Sequence, residues 1–324
     1  MKRFIILAAV LVTLTMVVGP ARAQDATETF AVADDGTELK WDVYLPPGID
    51  ARPVVLVLHT GGFKTGRRND PGVKVAATEL AQGGFIACAI DYRLDLRRIN
   101  GNGGLAYAPV PGATQLQVDD VRQAILAARN PAGTSLLATR GVTGKVGAVG
   151  GSAGAAHSLW CSLTGTAGAD QFDCAALLSG AYEFDDRNSL AATTGGCDLP
   201  DDFAFDVAMY CLTVKGASDY YNQLHTGSPI YQIVHGVTVP PLDLIASIDD
   251  PITPTQIQDL QLRLQVNHVP NYLYQVLIGD YQPNNRLPQE HCAHAFQYWD
   301  YPYDSVSGLT VGEQVTSWLG QYLD

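Results

Sequence analysis

Apolar and polar positions along the chain follow two patterns, one typical of buried strands and one typical of helices. Short apolar runs rich in β-branched residues, such as Val54–Leu58 and Phe85–Ile90, are bounded by Pro or Gly and predict buried strands. Between such runs, apolar residues recur three and four positions apart, as in Leu116–Leu126, and predict amphipathic helices. By the same criteria we expect strands at 146–149, 175–178, 242–246 and 272–278, and helices at 73–81, 153–163, 255–266 and 311–323.

The alternation of strands and helices determines the predicted architecture. It implies βαβ crossovers and a mostly parallel sheet with helices on both faces, which is an α/β fold. Asp35-Gly36, between 29–32 and 40–45, adds a hairpin at the start of the sheet. Residues 183–226, rich in Gly, Asp and Thr, interrupt the alternation and predict a small cap insertion. We therefore expect a single α/β domain over residues 24–324.

The first 23 residues have the pattern of a secretory signal peptide. Lys2 and Arg3 precede the apolar run Phe4–Val18, and Ala21-Arg22-Ala23 supplies small residues for cleavage. The apolar run is shorter than the roughly 20 residues that a membrane span needs. We expect a secreted or periplasmic protein with no membrane span in the mature chain.

Charge narrows the range of partners. The chain has 20 Lys and Arg against 33 Asp and Glu, a formal net charge of −13. Nucleic-acid binding needs clustered basic side chains, and this sequence has no basic run. We therefore predict a neutral or cationic small molecule, or a polymer, as the partner and exclude nucleic acid.

The six cysteines are interpreted in the light of predicted export. Disulfide bonds are the usual use of cysteine in an oxidising compartment, and no CxxC or His/Cys cluster predicts a metal site. Cys88, inside a predicted strand, is expected to be either a buried free thiol or a partner of Cys292. Short separations along the chain favour two local disulfides, Cys161–Cys174 and Cys197–Cys211.

A G-x-S-x-G motif marks a candidate nucleophile. The predicted strand 146–149 leads into Gly150-Gly151-Ser152-Ala153-Gly154, and a predicted helix follows. In this context the turn lifts the serine hydroxyl off the sheet edge, and glycines flank it because side chains do not fit there. The same turn places the N–H of Ala153 at the start of the helix.

A second glycine-rich turn follows the strand Val54–Leu58. The sequence there is His59-Thr60-Gly61-Gly62-Phe63, so consecutive backbone N–H groups can point toward the serine. Such donors stabilise the oxyanion of a tetrahedral intermediate. The N–H groups of this turn are therefore candidates for such a role.

These motifs resemble those of the α/β-hydrolase superfamily, nearest the hormone-sensitive-lipase-like carboxylesterases and the feruloyl and acetyl esterases. The resemblance implies an α/β-hydrolase fold with a small cap and a serine esterase that needs no metal or other cofactor. It also implies that Ser152 is the nucleophile and that the N–H groups of Gly61, Gly62 and Ala153 form the oxyanion hole. Three positions depart from the family pattern: Thr60 replaces a glycine, Gly151 stands where an acid is often found, and Ala155 stands where a glycine is common. The resemblance covers most of residues 40–322, in family order, and rests on VLHTGGFKTG (57–66), DYRL (91–94), GGSAG (150–154), SPI (228–230), LIASIDDPITP (244–254) and HAF (294–296).

The resemblance also implies which residues complete a catalytic triad with Ser152. In this fold an acid and then a histidine follow the serine along the chain. Two histidines, His291 and His294, follow the last predicted strand, and His-Ala-Phe resembles the family's His-x-Phe, which favours His294.

For the acid, two adjacent aspartates follow the predicted strand 242–246. The family places the acid directly before a Pro-x-x-Pro turn, which favours Asp250 over Asp249. Asp280 is a lesser alternative, and either of the adjacent aspartates could instead cap the helix that begins near 255.

Aromatic residues near these motifs are candidates for a substrate-binding wall. Phe63 lies beside the second glycine turn, and Phe296 and Trp299 follow the candidate base. Packing in the core is the alternative role for all three.

The sequence thus predicts a secreted serine carboxylesterase that hydrolyses neutral small-molecule or polymer esters through an acyl-enzyme. A peptidase or lipase of the same fold, or a non-catalytic binding protein on this scaffold, are the alternatives.

Overall fold

The computed structural model describes residues 24–94, 96–101, 104–109, 113–186, 207, 211, 217–277 and 293–324. The predicted signal peptide, His291, Asp280 and most of the predicted cap lie outside these residues. Those predictions stay predictions.

An eight-stranded sheet organises the described residues, in the order β1-β2-β4-β3-β7-β8-β9-β10. β1–β2 and β2–β4 are antiparallel, and every other neighbouring pair is parallel. A separate antiparallel hairpin, β5–β6, was not predicted from the sequence. The strands are β1 Ala26–Val32, β2 Glu38–Tyr44, β3 Arg52–Leu58, β4 Ile86–Ile90, β5 Leu96–Gly101, β6 Gly104–Pro109, β7 Val142–Gly151, β8 Cys174–Leu178, β9 Leu242–Ser247 and β10 Tyr272–Leu277.

Helices connect the parallel strands, as the alternating pattern predicts. Their ends follow local rules: α1 begins at Pro71, and Thr310 and Glu313 form a capping box at the start of α7. No helix within the described ranges is long and apolar enough to cross a membrane. The helices are α1 Pro71–Gln82, α2 Ala113–Arg129, α3 Leu136–Arg140, α4 Ala153–Thr164, α5 Tyr220–Gly227, α6 Thr255–Val266 and α7 Val311–Leu323, with short 3₁₀ turns at Pro229–Gln232 and Ala295–Tyr298.

The sheet is buried on both faces, which confirms the predicted layers. Leu56 of β3 packs into a core layer with residues of α2, α4 and α6. Its neighbours Val55 and Val57 point the opposite way and pack with residues of α1 and α7. This two-sided burial explains why β4 and all of β3 after Arg52 are apolar.

The same layers correct the predicted disulfides. Cys161 lies in the core layer of α2, α4 and α6, whereas Cys174 lies in the layer on the other face of the sheet. The sheet separates the two thiols, so the predicted Cys161–Cys174 bond is wrong. Cys211 is also a free thiol, so the predicted Cys197–Cys211 bond does not form, and Cys88 is a buried free thiol.

Strand order also determines where the predicted motifs meet. β3, β7, β8, β9 and β10 are parallel neighbours, so their carboxyl ends lie along one edge of the sheet. Clefts at this edge are the usual ligand sites of open α/β sheets. The two glycine turns, the candidate acid and the candidate base all follow these strands.

Candidate active site

Ser152 occupies a strained turn between β7 and α4. Its φ of 54° and ψ of −117° lie in a region that L-residues other than glycine rarely adopt. The surroundings hold the turn: the N–H of Ser152 donates to Leu178 O at 2.8 Å, and its carbonyl accepts the N–H groups of Ala155 and Ala156. Strain of this kind costs about 1–3 kcal/mol and is concentrated at functional sites.

Glycines on either side of Ser152 allow the turn to pack closely. A Cβ built on Gly150 would lie 2.4 Å from the carbonyl oxygen of Gly154. One built on Gly154 would lie 2.5 Å from the carbonyl oxygen of Leu58, at the end of β3. Since side chains do not fit at either position, the sequence-based explanation of the motif agrees with the structure.

His294 and Asp250 form a hydrogen-bonded pair. Nδ1 of His294 lies 2.8 Å from Oδ1 of Asp250, which also accepts the N–H of Ile252 at 2.9 Å. An ionised carboxylate only accepts, so Nδ1 is the donor, and in a neutral imidazole Nε2 then presents a lone pair. The Asp250 side chain is fully buried, while that of His294 is 21% exposed. The pair can therefore act as an oriented base that solvent or substrate reaches.

The alternative aspartate occupies a different place. Asp249 is partly buried, and its backbone N–H donates to Oγ of Ser247 at 3.3 Å. The residue at the N-cap position of α6 is Pro254, so neither aspartate caps that helix. Asp250 is thus the aspartate that the structure brings to His294.

The base lies beside the turn that carries Ser152. A Cβ built on Gly151 would lie 3.0 Å from Cβ of Ala295, the residue that follows His294. Gln297 holds the backbone of the base, since its Oε1 accepts the His294 N–H at 2.9 Å. The structure thus brings together the turn of Ser152 and the backbone of His294.

The predicted oxyanion residues lie on a tight turn after β3. Gly61, Gly62 and Phe63 have φ values of 127°, 57° and 68°, and the carbonyl of Gly61 accepts the N–H groups of Lys64 and Thr65. Between described residues, no backbone hydrogen bond uses the N–H of Gly62 or of Ala153. These two N–H groups can therefore donate to a ligand.

Two buried hydrogen bonds support the oxyanion turn, residues 61–63, and were not predicted from the sequence. Nε2 of Gln117 donates to Phe63 O at 2.8 Å, which leaves Oε1 of Gln117 to accept from Nε2 of His157 at 2.8 Å. Burial lowers the pKa of His157 to about 3, so the ring is neutral. The sequence feature that could have indicated this role is a polar residue, Gln117, between Leu116 and Val118 on the apolar side of a predicted helix.

The predicted aromatic wall is largely inside the core. Phe63 is 1% exposed and packs edge-on against Phe184. Trp299 is also 1% exposed, and its indole N–H donates to Glu79 at 2.6 Å. Trp299 therefore has a structural role in the core, which corrects the prediction that it contacts substrate. Phe296 lies against Gly151, next to the candidate nucleophile.

Comparisons with known proteins find likeness in structure. No protein-family model and no curated protein sequence matches the chain. Among solved structures, an esterase of the planctomycete Thermogutta terrifontis superposes with a TM-score of 0.57 at 18% identity, covering 91% of this chain and 90% of its own. Esterase B of Lactobacillus rhamnosis, in an inhibited form, gives a TM-score of 0.63 at 20% identity, covering 93% and 90%.

At these identities the likeness concerns the fold. The eight-stranded, mostly parallel sheet, the helices on both faces and the strand–turn–helix around Ser152 agree with it. The chain has the α/β-hydrolase fold.

Proposed function

We propose that the chain is a serine carboxylesterase that hydrolyses neutral carboxylic esters through an acyl-enzyme. Two observations support the proposal: the strained turn of Ser152 packs, through Gly151, against the residues that follow His294, and His294 is hydrogen-bonded to Asp250. A weakly nucleophilic hydroxyl needs a base, and the base needs an orienting acid.

The reaction follows from these positions. Nε2 of His294 takes the hydroxyl proton as Ser152 Oγ attacks the ester carbonyl carbon, and Asp250 stabilises the imidazolium that forms. The carbonyl oxygen becomes an oxyanion, which accepts the N–H groups of Gly61, Gly62 and Ala153. When the intermediate collapses, the C–O bond breaks and His294 protonates the leaving alcohol. Water then attacks the acyl-enzyme by the same route, releasing the acid and restoring Ser152.

The structural neighbours support this choice of reaction. One solved form of the Thermogutta enzyme, esterase 2, is phosphoramylated by tabun, at 16% identity and a TM-score of 0.57. Organophosphorus agents of this type react with an activated nucleophile. We expect the same susceptibility of Ser152. The proposal includes export by residues 1–23 and a cap over 183–226.

A fluorophosphonate probe tests the proposal directly. Wild-type protein is expected to become labelled, Ser152→Ala to remain unlabelled, and Ser228→Ala to be labelled like wild type. Ser228 is a suitable control because it is another buried serine, whose hydroxyl accepts from Phe184 N and donates to Leu224 O. Failure of the wild type to react would favour a non-catalytic binding protein.

A substrate panel then defines the class. p-Nitrophenyl esters of rising acyl length, assayed beside a peptide amide, separate a carboxylesterase from a lipase and a peptidase. We expect the fastest turnover with short acyl groups and none with the amide.

A further inference from the structure

Ser179, at the end of β8, lies behind the Asp250–His294 pair. It is 3% exposed and has a φ of 53°, so it is a second buried serine in the left-handed region at this sheet edge. Its hydroxyl contacts three groups: Oδ2 of Asp250, the hydroxyl of Tyr298 at 2.7 Å and the N–H of Ala295 at 3.0 Å. This hydroxyl therefore joins loops that follow different strands.

The chemistry of its neighbours determines where the hydroxyl proton of Ser179 goes. The carboxylate of Asp250 only accepts, so the single hydroxyl proton of Ser179 goes to Oδ2. The oxygen of Ser179 then accepts from Ala295 N. Tyr298 has one hydroxyl proton, which it can donate to Ile245 O, 3.0 Å away, or to the oxygen of Ser179. With Oδ1 accepting from His294, hydrogen bonds fix both oxygens of Asp250.

The hydrogen bond from Ala295 N–H to Ser179 holds the backbone next to the candidate base. Ala295 follows His294 directly and has a φ of 50°, which is unusual for alanine. Its N–H belongs to the peptide unit that begins with the carbonyl of His294. One hydroxyl thus holds both the acid and the backbone that carries the imidazole.

We propose that Ser179 is a positioning residue that sets the distance and angle between Asp250 and His294. The proposal rests on the proposed esterase function. Since Ser179 acts through the pair, removing its hydroxyl should slow proton transfer and leave substrate binding unchanged. A displacement of about 1 Å in a catalytic group costs on the order of 100-fold. We therefore expect kcat to fall about 10- to 100-fold with KM within about twofold of wild type.

Three substitutions separate the hydroxyl from the backbone. Ser179→Gly removes the hydroxyl and relieves the positive φ, whereas Ser179→Ala removes the hydroxyl and keeps the strain. Ser179→Cys keeps the side-chain shape with a much weaker donor and serves if either of the others fails to fold. All three should lower kcat. If Ser179→Gly keeps the wild-type kcat while Ser179→Ala is slow, backbone strain and not the loss of the hydroxyl explains the slow variant, and the proposal is wrong.

A spectroscopic measurement follows the pair itself. The proton on Nδ1 of His294 should give a low-field proton NMR signal that is absent from Asp250→Asn. In Ser179→Gly this signal should shift or broaden, and in Ser228→Ala it should stay unchanged. An unchanged signal in a Ser179→Gly protein with normal kcat would overturn the inference.

The probe experiment keeps this inference distinct from the proposed function. If fluorophosphonate labels the wild type and not Ser152→Ala, the esterase proposal stands and the Ser179 kinetics decide the inference alone. If the wild type is not labelled, both fail.

Discussion

Gly151 and Phe296 touch at the centre of the candidate active site. A Cβ built on Gly151 would lie 2.8 Å from Cε2 of Phe296, although the residues are far apart in sequence. The ring of Phe296 thus occupies the space that a side chain at position 151 would need. This contact couples the turn of Ser152 to the loop of His294.

Gly151→Ala should therefore damage activity. The added methyl group pushes Phe296, and with it His294, away from Ser152, at a cost of about 1–3 kcal/mol in stability. We expect kcat to fall by roughly 100-fold. Ester hydrolysis and urea unfolding check the two effects. Gly320→Ala, where the nearest atom is 3.5 Å away, is the matched control and should be neutral or slightly stabilising. Equal activities of the two variants would contradict the coupling.

Asp250→Asn should be far more harmful than Asp249→Asn. Asp250 is the carboxylate bonded to His294, and an amide in its place favours the wrong imidazole tautomer, which costs about 10⁴-fold in kcat in a serine triad. The side chain of Asp249 has no such role, so its variant should stay within about twofold of wild type. Steady-state hydrolysis of a p-nitrophenyl ester measures both. A large loss for Asp249→Asn alone would reassign the acid.

Gln117→Met tests the support of the oxyanion turn. Met fills a similar volume but cannot donate to Phe63 O or accept from His157. The two lost hydrogen bonds should cost about 1–3 kcal/mol in stability. Loosening the turn should lower kcat by at least about 10-fold, since one oxyanion donor is worth about 100- to 1000-fold. Gln115→Met, on the exposed side of α2, should change neither quantity. Wild-type kcat in a destabilised Gln117→Met would limit this residue to a structural role.

Asp243 should make the protein less stable as pH rises. Its side chain is buried in β9, and neither carboxylate oxygen has a hydrogen-bond partner among the described residues. Burial raises its pKa from 3.8 to about 7, so the native state holds a proton that the unfolded chain has released. The stabilisation is complete below about pH 4 and is lost as pH rises to about 7.

The amide variant Asp243→Asn isolates this effect because it cannot titrate. Between pH 5 and pH 8 the free energy of unfolding of the wild type should fall by about 3 kcal/mol more than that of Asp243→Asn. Urea denaturation at both pH values gives the difference. If the free energy of unfolding falls by the same amount in both proteins between pH 5 and pH 8, Asp243 does not titrate in this range.

Local patterns in the sequence were sufficient for the layered fold and for the turn of Ser152. Alternation of strands and helices predicted a sheet covered on both faces, and the glycines around Ser152 predicted a turn without room for side chains. Both are properties of neighbouring residues, so periodicity and turn chemistry determine them. The hairpin β5–β6 was missed.

Only the tertiary structure decided which distant groups meet. Cys161 and Cys174 are close in sequence but lie on opposite faces of the sheet, so their predicted bond is wrong. Trp299, predicted to contact substrate, lies in the core. Ser179 and Gln117 carry no motif, and their roles depend on strand order, which places the ends of β3, β7, β8 and β9 side by side. Local sequence determines how each segment folds, whereas the sheet order that brings the segments together depends on the burial of both faces by the whole chain.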